Sequence, residues 1–145
     1  MVADIKGLKA YLLFHDYVEI KAVGTSMLPS IREGDCIKIE KTQFPKVGDV
    51  VVFSFEEQLI MHRIIKEIAD LVWCKGDNSL RIEVIPRGDI VGVVKEINSR
   101  EIPMVSVKFL QASTQIGKLF IRYKYDREKL LQSREYLEYH KEYLE

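Results

Sequence analysis

At 145 residues the chain is sized for one domain able to bury its own core. Its 22 basic and 22 acidic side chains cancel, which argues against a nucleic acid or any acidic partner. No basic-apolar-small leader and no transmembrane run is present, the longest apolar stretch near the N-terminus being Ala10 to Phe14, so the expected location is the cytoplasm with at most a peripheral membrane contact.

Ala3 to His15 reads as a short helix, with Asp4 suited to its first turn and Ile5, Leu8 and Leu12 on one face beside Leu13. Such a helix is expected to pack on a sheet and not to act as an anchor, because its apolar face is short. Val18 to Val23 alternates apolar and polar residues as a half-buried strand does. Gly24 and Pro29 punctuate its end, which places Ser26 in a turn. Further strands are expected at Cys36–Glu40, Val50–Phe55, Leu59–Ile68, Leu71–Lys75 and Asp89–Ile97, the last of these closing the core. Glu56-Glu57-Gln58 is read as a hairpin connection and Gly76-Asp77-Asn78 as a turn. Short strands divided by Gly-Asp turns predict a mainly β, compact, mostly antiparallel domain. Cys36 and Cys74 fall in strands without metal-ligand spacing, so buried free thiols are expected, a disulfide staying open.

From about Val105 the pattern becomes helical, with Ile116, Leu119, Phe120 and Tyr123 at helix spacing. Leu130, Leu137 and Leu144 recur every seven residues with Tyr136 and Tyr143 beside them, one stripe of a helix. That stripe leaves docking on the domain, a homo-oligomer contact and a partner contact open. The expected organisation is an N-terminal helical segment over 1–17, a β domain over 18–104 and a helical extension over 105–145.

Three residue types suited to nucleophilic chemistry occur along this path. Ser26 lies in a turn where a hydroxyl reaches a cleft. His62 sits between Ile60 and Ile64 on one face of a strand, with Arg63 on the other. Apolar walls disfavour the imidazolium, so this placement suits a general base as well as a satisfied core histidine. Asp77 and Glu83 are carboxylates able to orient an imidazole, and serine, histidine and carboxylate together make nucleophile, base and orienter. Arg63 and Lys75 are read as surface or ion-pair residues. The residues suggest no cofactor and no metal.

Five segments in order carry a resemblance. Gly24-Thr25-Ser26-Met27-Leu28-Pro29, Gly48-Asp49-Val50-Val51-Val52-Phe53, His62-Arg63-Ile64, Lys75-Gly76-Asp77-Asn78 and Asp89-Ile90-Val91-Gly92-Val93-Val94 are similar to the boxes of the signal peptidase I family, within the S24/S26 group of serine peptidases. The resemblance spans about Val18 to Ile97 and implies the signal peptidase and repressor-cleavage type of β domain. It implies Ser26 as nucleophile. Most bacterial members and the repressor self-cleavage domains hold a lysine at the base position, where this chain has His62, as in the serine and histidine branch of endoplasmic-reticulum, archaeal and some Gram-positive enzymes. That branch has an aspartate six positions after the aspartate of Gly-Asp-Asn, and 77 + 6 = 83 is Glu83 here. Glu83 and Asp77 therefore stand level as the orienting carboxylate. The resemblance also implies a substrate bound extended, a peptide or precursor protein with small side chains before the scissile bond.

The resemblance departs in places. Only the short Ala3–His15 segment stands where membrane-bound members carry an anchor. No DNA-binding domain of a self-cleaving repressor precedes the serine box, nor does an Ala-Gly cleavage pair, which weakens a self-cleaving regulator. The expected function is a serine endopeptidase; the alternative is a non-catalytic peptide- or protein-binding module on the same fold.

Overall fold

The computed structural model describes residues 5–144. Helix α1, Ile5–Phe14, leads into β1, Tyr17–Lys21, and β2, Cys36–Glu40. A hairpin of β3, Val50–Phe55, and β4, Gln58–Ile68, is followed by β5, Leu71–Lys75, and β6, Glu83–Pro86. After a 3₁₀ turn at Arg87–Asp89 come β7, Ile90–Ile97, and the two-residue β8, Arg100–Glu101. Helices α2, Val107–Arg122, α3, Arg127–Gln132, and α4, Arg134–Leu144, close the chain. The protein is mainly antiparallel β, with a short N-terminal helix and C-terminal helices. The eight strands form one sheet in the order β1-β2-β7-β3-β4-β5-β6, with β8 pairing β7.

β3 lies inside this order and is buried on both faces, which explains its unbroken apolar run. Val50 and Val52 join a core that includes Leu8, Leu12, Ile37, Ile39 and Val94. Val51 and Phe53 point the other way, into a cluster with Ile64, Val72, Cys74, Ile85 and Val93. The period of two along a strand divides one apolar run between two cores.

Helix α1 buries Leu8 and Leu12, one turn apart, while Leu13 and Phe14 are exposed. Ala3 and Asp4, and the side chain of Ile5, lie outside the described residues. Gly92 of β7 admits the helix: a Cβ there would stand 2.6 Å from Ile39 Cγ2, 3.1 Å from the Glu40 carbonyl and 3.6 Å from Leu12 Cδ1.

The sequence reading placed most strand cores but missed β6 and β8. β6 has four residues and β8 two, too short for an alternation to register. Cys36 is exposed and only Cys74 is buried, both as free thiols, because Cys36 points away from the core that its neighbour Ile37 enters. The leucine stripe is not one helix. Ser133 is extended (φ −73°, ψ 147°) and its Oγ accepts from Tyr136 N at 3.1 Å, capping a new helix start between Leu130 and Leu137. Leu130 is buried and Leu137 exposed. The side chains of Tyr143 and Leu144 lie outside the described residues.

Gly92→Ala is expected to destabilise the protein by about 1–3 kcal/mol, since the neighbours of the added methyl are a stiff β-branched side chain and a backbone oxygen. Chemical denaturation measures this, and an unchanged midpoint would refute the packing account.

Candidate active site

Ser26 stands in the loop between β1 and β2. Met27 and Ile31 anchor that loop by burying their side chains in the core, and Ile31 N donates to Met27 O at 2.9 Å. Gly24 takes a left-handed φ of +92°, which favours glycine, and an added Cβ there meets nothing within 4 Å.

His62 lies across from Val51 in the β3–β4 register, so it shares the Val51 and Phe53 face of the sheet. Phe53 meets its ring edge-on at a centroid distance of 6.5 Å. Glu83 opens β6 opposite Cys74, which itself pairs with Ile64, so strand pairing brings the carboxylate to that same face. His62 Nδ1 and Glu83 Oε1 are 2.6 Å apart, and His62 Nε2 and Ser26 Oγ are 3.1 Å apart. An ionised carboxylate can only accept, so Nδ1 carries the ring proton and Nε2 is left to accept from the serine hydroxyl. Both His62 and Glu83 are buried.

Asp77 does not join this chain of bonds. Arg63 donates to it twice, Nε to Oδ1 at 2.9 Å and Nη2 to Oδ2 at 2.8 Å, and Ser30 Oγ donates to Oδ2 at 2.8 Å. Of the two carboxylates that stood level, Glu83 meets the imidazole and Asp77 meets the guanidinium. The reason is strand alternation: Arg63 pairs with Val50 and faces the side opposite His62. The Arg63 and Asp77 side chains are each 1 % exposed, and Arg63 Nη1 also donates to Gly48 O at 2.8 Å. Losing one partner of such a buried pair typically costs about 3–5 kcal/mol.

The turn after β5 stitches these parts together. Asn78 N donates to Ser26 O at 2.8 Å, and Asn78 Nδ2 to Thr25 O at 3.2 Å. Gly76 is buried directly against the imidazole: a Cβ there would lie 2.9 Å from His62 Nε2, 2.6 Å from Ser26 O and 2.5 Å from Ser79 Oγ. Ser79 and Ser30 are site neighbours the sequence reading missed. A serine two residues past a Gly-Asp turn carries no signal of its own, since its place over Gly76 comes from folding.

Lys75 corrects the surface reading. It is buried, and its Nζ donates to Ser113 Oγ on α2 at 2.9 Å and to Gly76 O at 3.2 Å. Burial pushes its pKa down to about 8, against the opposing pull of the Asp77 and Glu83 charges. Burial, with the Glu83 charge, also pushes the Cys74 thiol up. Among the described residues no group of three or more His, Cys, Asp or Glu converges as a metal site. No helix among them is long and apolar enough to cross a membrane.

Residues 12–79 match the family model described as Peptidase S24-like. The match supports the S24 superfamily and a peptidase-like protein. It takes in Ser26, His62 and Asp77 and stops short of Glu83. No curated protein matches the chain.

Two outcomes follow from this geometry. Gly76→Ala is expected to move the His62 ring resonances in imidazole ¹⁵N spectra, whereas Gly88→Ala, whose added Cβ meets nothing, should leave them unchanged. Identical ring signals in both variants would rule out the tight seat. For Lys75, the folded pKa of about 8 lies below the reference 10.5, so between these values the unfolded chain binds more protons. Its contribution to stability therefore rises with pH across that window and is constant below it. Unfolding free energies of wild type and Lys75→Met, measured from pH 8 to 10, should show wild type gaining relative to the variant; parallel curves would refute the lowered pKa.

Proposed function

We propose that the protein is a serine endopeptidase that cleaves an extended peptide or precursor protein through an acyl-enzyme. The observation that carries this reading is the continuous chain from Ser26 Oγ through the His62 ring to Glu83 Oε1, at 3.1 and 2.6 Å. In this reading His62 Nε2 takes the hydroxyl proton as Ser26 Oγ attacks the scissile carbonyl, and Glu83 holds the Nδ1–H tautomer and offsets the positive ring. The imidazolium then gives its proton to the departing amine. Water, deprotonated by His62, releases the acyl group and restores the serine. The Ser26 backbone N–H serves as an oxyanion donor, a contribution worth about 10²–10³ in rate where single donors have been removed from serine proteases.

Two features support an extended substrate. β4 pairs with β5 only from Arg63 onward, so the segment from Gln58 to His62 has no strand partner on that edge among the described residues. An incoming strand can pair there with its reacting carbonyl led toward Ser26. Alongside lies a cavity of about 160 Å³ walled by Val23, Met27, Leu59, Ile60 and Met61 and reaching both Ser26 and His62. Its size and walls suit small apolar side chains. The serine and histidine pairing favours the signal-peptidase-like branch over the lysine-dependent repressor type.

Covalent capture tests the reading. Wild type, Ser26→Ala and His62→Ala are incubated with a peptidyl electrophile bearing small residues, and intact mass is measured. The expected result is an adduct in wild type that vanishes in Ser26→Ala and falls at least 100-fold in rate in His62→Ala, the scale of acid–base contributions. Equal labelling of wild type and Ser26→Ala, or no adduct at all, would favour the binding module instead.

A further inference from the structure

Two cavities border the loop that carries Ser26. The first is the cleft beside β4 already described. The second lies past Ser26 in the chain, has a volume of about 130 Å³, and is walled by Leu28, Pro29, Leu80, Ile116, Tyr136 and His140. Leu28 and Pro29 follow the serine in its own loop. Leu80 follows the turn whose Asn78 holds the Ser26 carbonyl at 2.8 Å. Ile116 comes from α2, and Tyr136 and His140 from α4, so the outer wall is built by C-terminal helices beyond the matched family span.

We propose that this second cavity is a specificity subsite that takes one apolar side chain of the substrate, from the half of the peptide that leaves Ser26 away from the β4 cleft. The inference rests on the endopeptidase reading of Ser26 and names what that site prefers. A peptide laid extended across Ser26 with one half along the β4 edge carries its other half toward Leu28 and the turn at Asn78. The cavity lining starts at Leu28 in the serine's own loop and takes in Asn78, whose N–H donates to Ser26 O.

The lining decides the chemistry. Leu28, Pro29, Leu80 and Ile116 are aliphatic or proline and the Tyr136 ring adds an aromatic face, while Asn78 and Ser79 form a polar edge. The carboxylate of Asp77 also borders the cavity, but both its oxygens are engaged by Arg63 and Ser30, so it offers no charge to a basic substrate residue. Tyr136 and His140 are committed to each other, their rings stacked at 5.3 Å and the tyrosine oxygen 3.3 Å from His140 Nδ1. That pairing holds the wall as one surface. The α4 turn that carries both residues is seated on the protein by α2, and α2 in turn by Lys75 and Ser113. The family match ends at residue 79, so Leu80, Ile116, Tyr136 and His140 of this wall lie beyond it.

The test uses Ser26→Ala protein, which binds without turnover, and short fluorescein-labelled peptides. Each carries alanine on one side of a central bond and either leucine or aspartate on the other, in both orientations. Fluorescence polarisation should show one orientation in which leucine binds about tenfold tighter than aspartate, the lower range of discrimination by an apolar pocket. Adding Tyr136→Ala or Leu80→Ser should abolish that preference, while Tyr136→Phe, which keeps the ring, should retain it. Equal affinity for leucine and aspartate, no binding of any peptide, or a preference that survives both wall variants would overturn the subsite. A leucine preference that depends on Tyr136, in a protein whose wild type forms no adduct with the electrophile, would support the subsite and remove the endopeptidase reading instead.

Discussion

Adjacent residues of one strand point to opposite faces of a sheet, and this protein places two ionisable side chains in that position. His62 and Arg63 are neighbours in β4, both buried, and each must meet a carboxylate on its own side. Glu83 answers His62 and Asp77 answers Arg63. A buried charge without a partner is costly, so the strand that carries the pair constrains everything around it. β6 must begin at Glu83, and the turn after β5 must fold back against Arg63. With that turn fixed, Asn78 holds the Ser26 carbonyl and Gly76 lies beneath the imidazole. One face of the strand thus holds the catalytic geometry proposed here, and the other holds the loop that presents it.

The C-terminal helices belong to the same construction. Lys75 directly precedes the turn and is buried between β5 and α2, where Ser113 accepts from it. Its charge is disfavoured there, and the hydrogen bonds to Ser113 and Gly76 offset part of that cost. Gly117 makes the approach close, because any side chain there would collide with Ile82. A layer that lies beyond the matched residues 12–79 is therefore packed against the turn that carries Asp77 and Asn78. Substitutions in α2 can reach the site through that contact without touching Ser26.

Much of this was legible in advance, and the reasons differ from element to element. Cys36–Glu40, Val50–Phe55 and Leu71–Lys75 were readable to the residue, because alternation or β-branched runs are local signals and the turns between them are marked by Gly and Asp. β6 was not readable, since Glu83–Pro86 becomes a strand only by pairing with β5. The seven-residue leucine stripe misled because it ran through Ser133, whose hydroxyl caps a helix start more favourably than it continues one. Cys36 was assigned to a strand correctly and to the interior wrongly, the alternate residues of β2 being the ones that face the core.

The chain's linear order determined the residue types, their spacing, and the opposite orientation of His62 and Arg63, because these depend only on local backbone geometry. Which carboxylate meets the imidazole was decided by tertiary structure alone. Asp77 and Glu83 are both acids near one turn, and nothing in six residues of spacing separates their roles. Sheet pairing separates them: Glu83 is carried across β5 to the His62 face, while Asp77 stays at the turn within reach of Arg63. The same is true of the second cavity, whose walls come from residues 28, 80, 116 and 136. Segments so far apart in the chain share a surface only once the sheet and its helices have closed on one another.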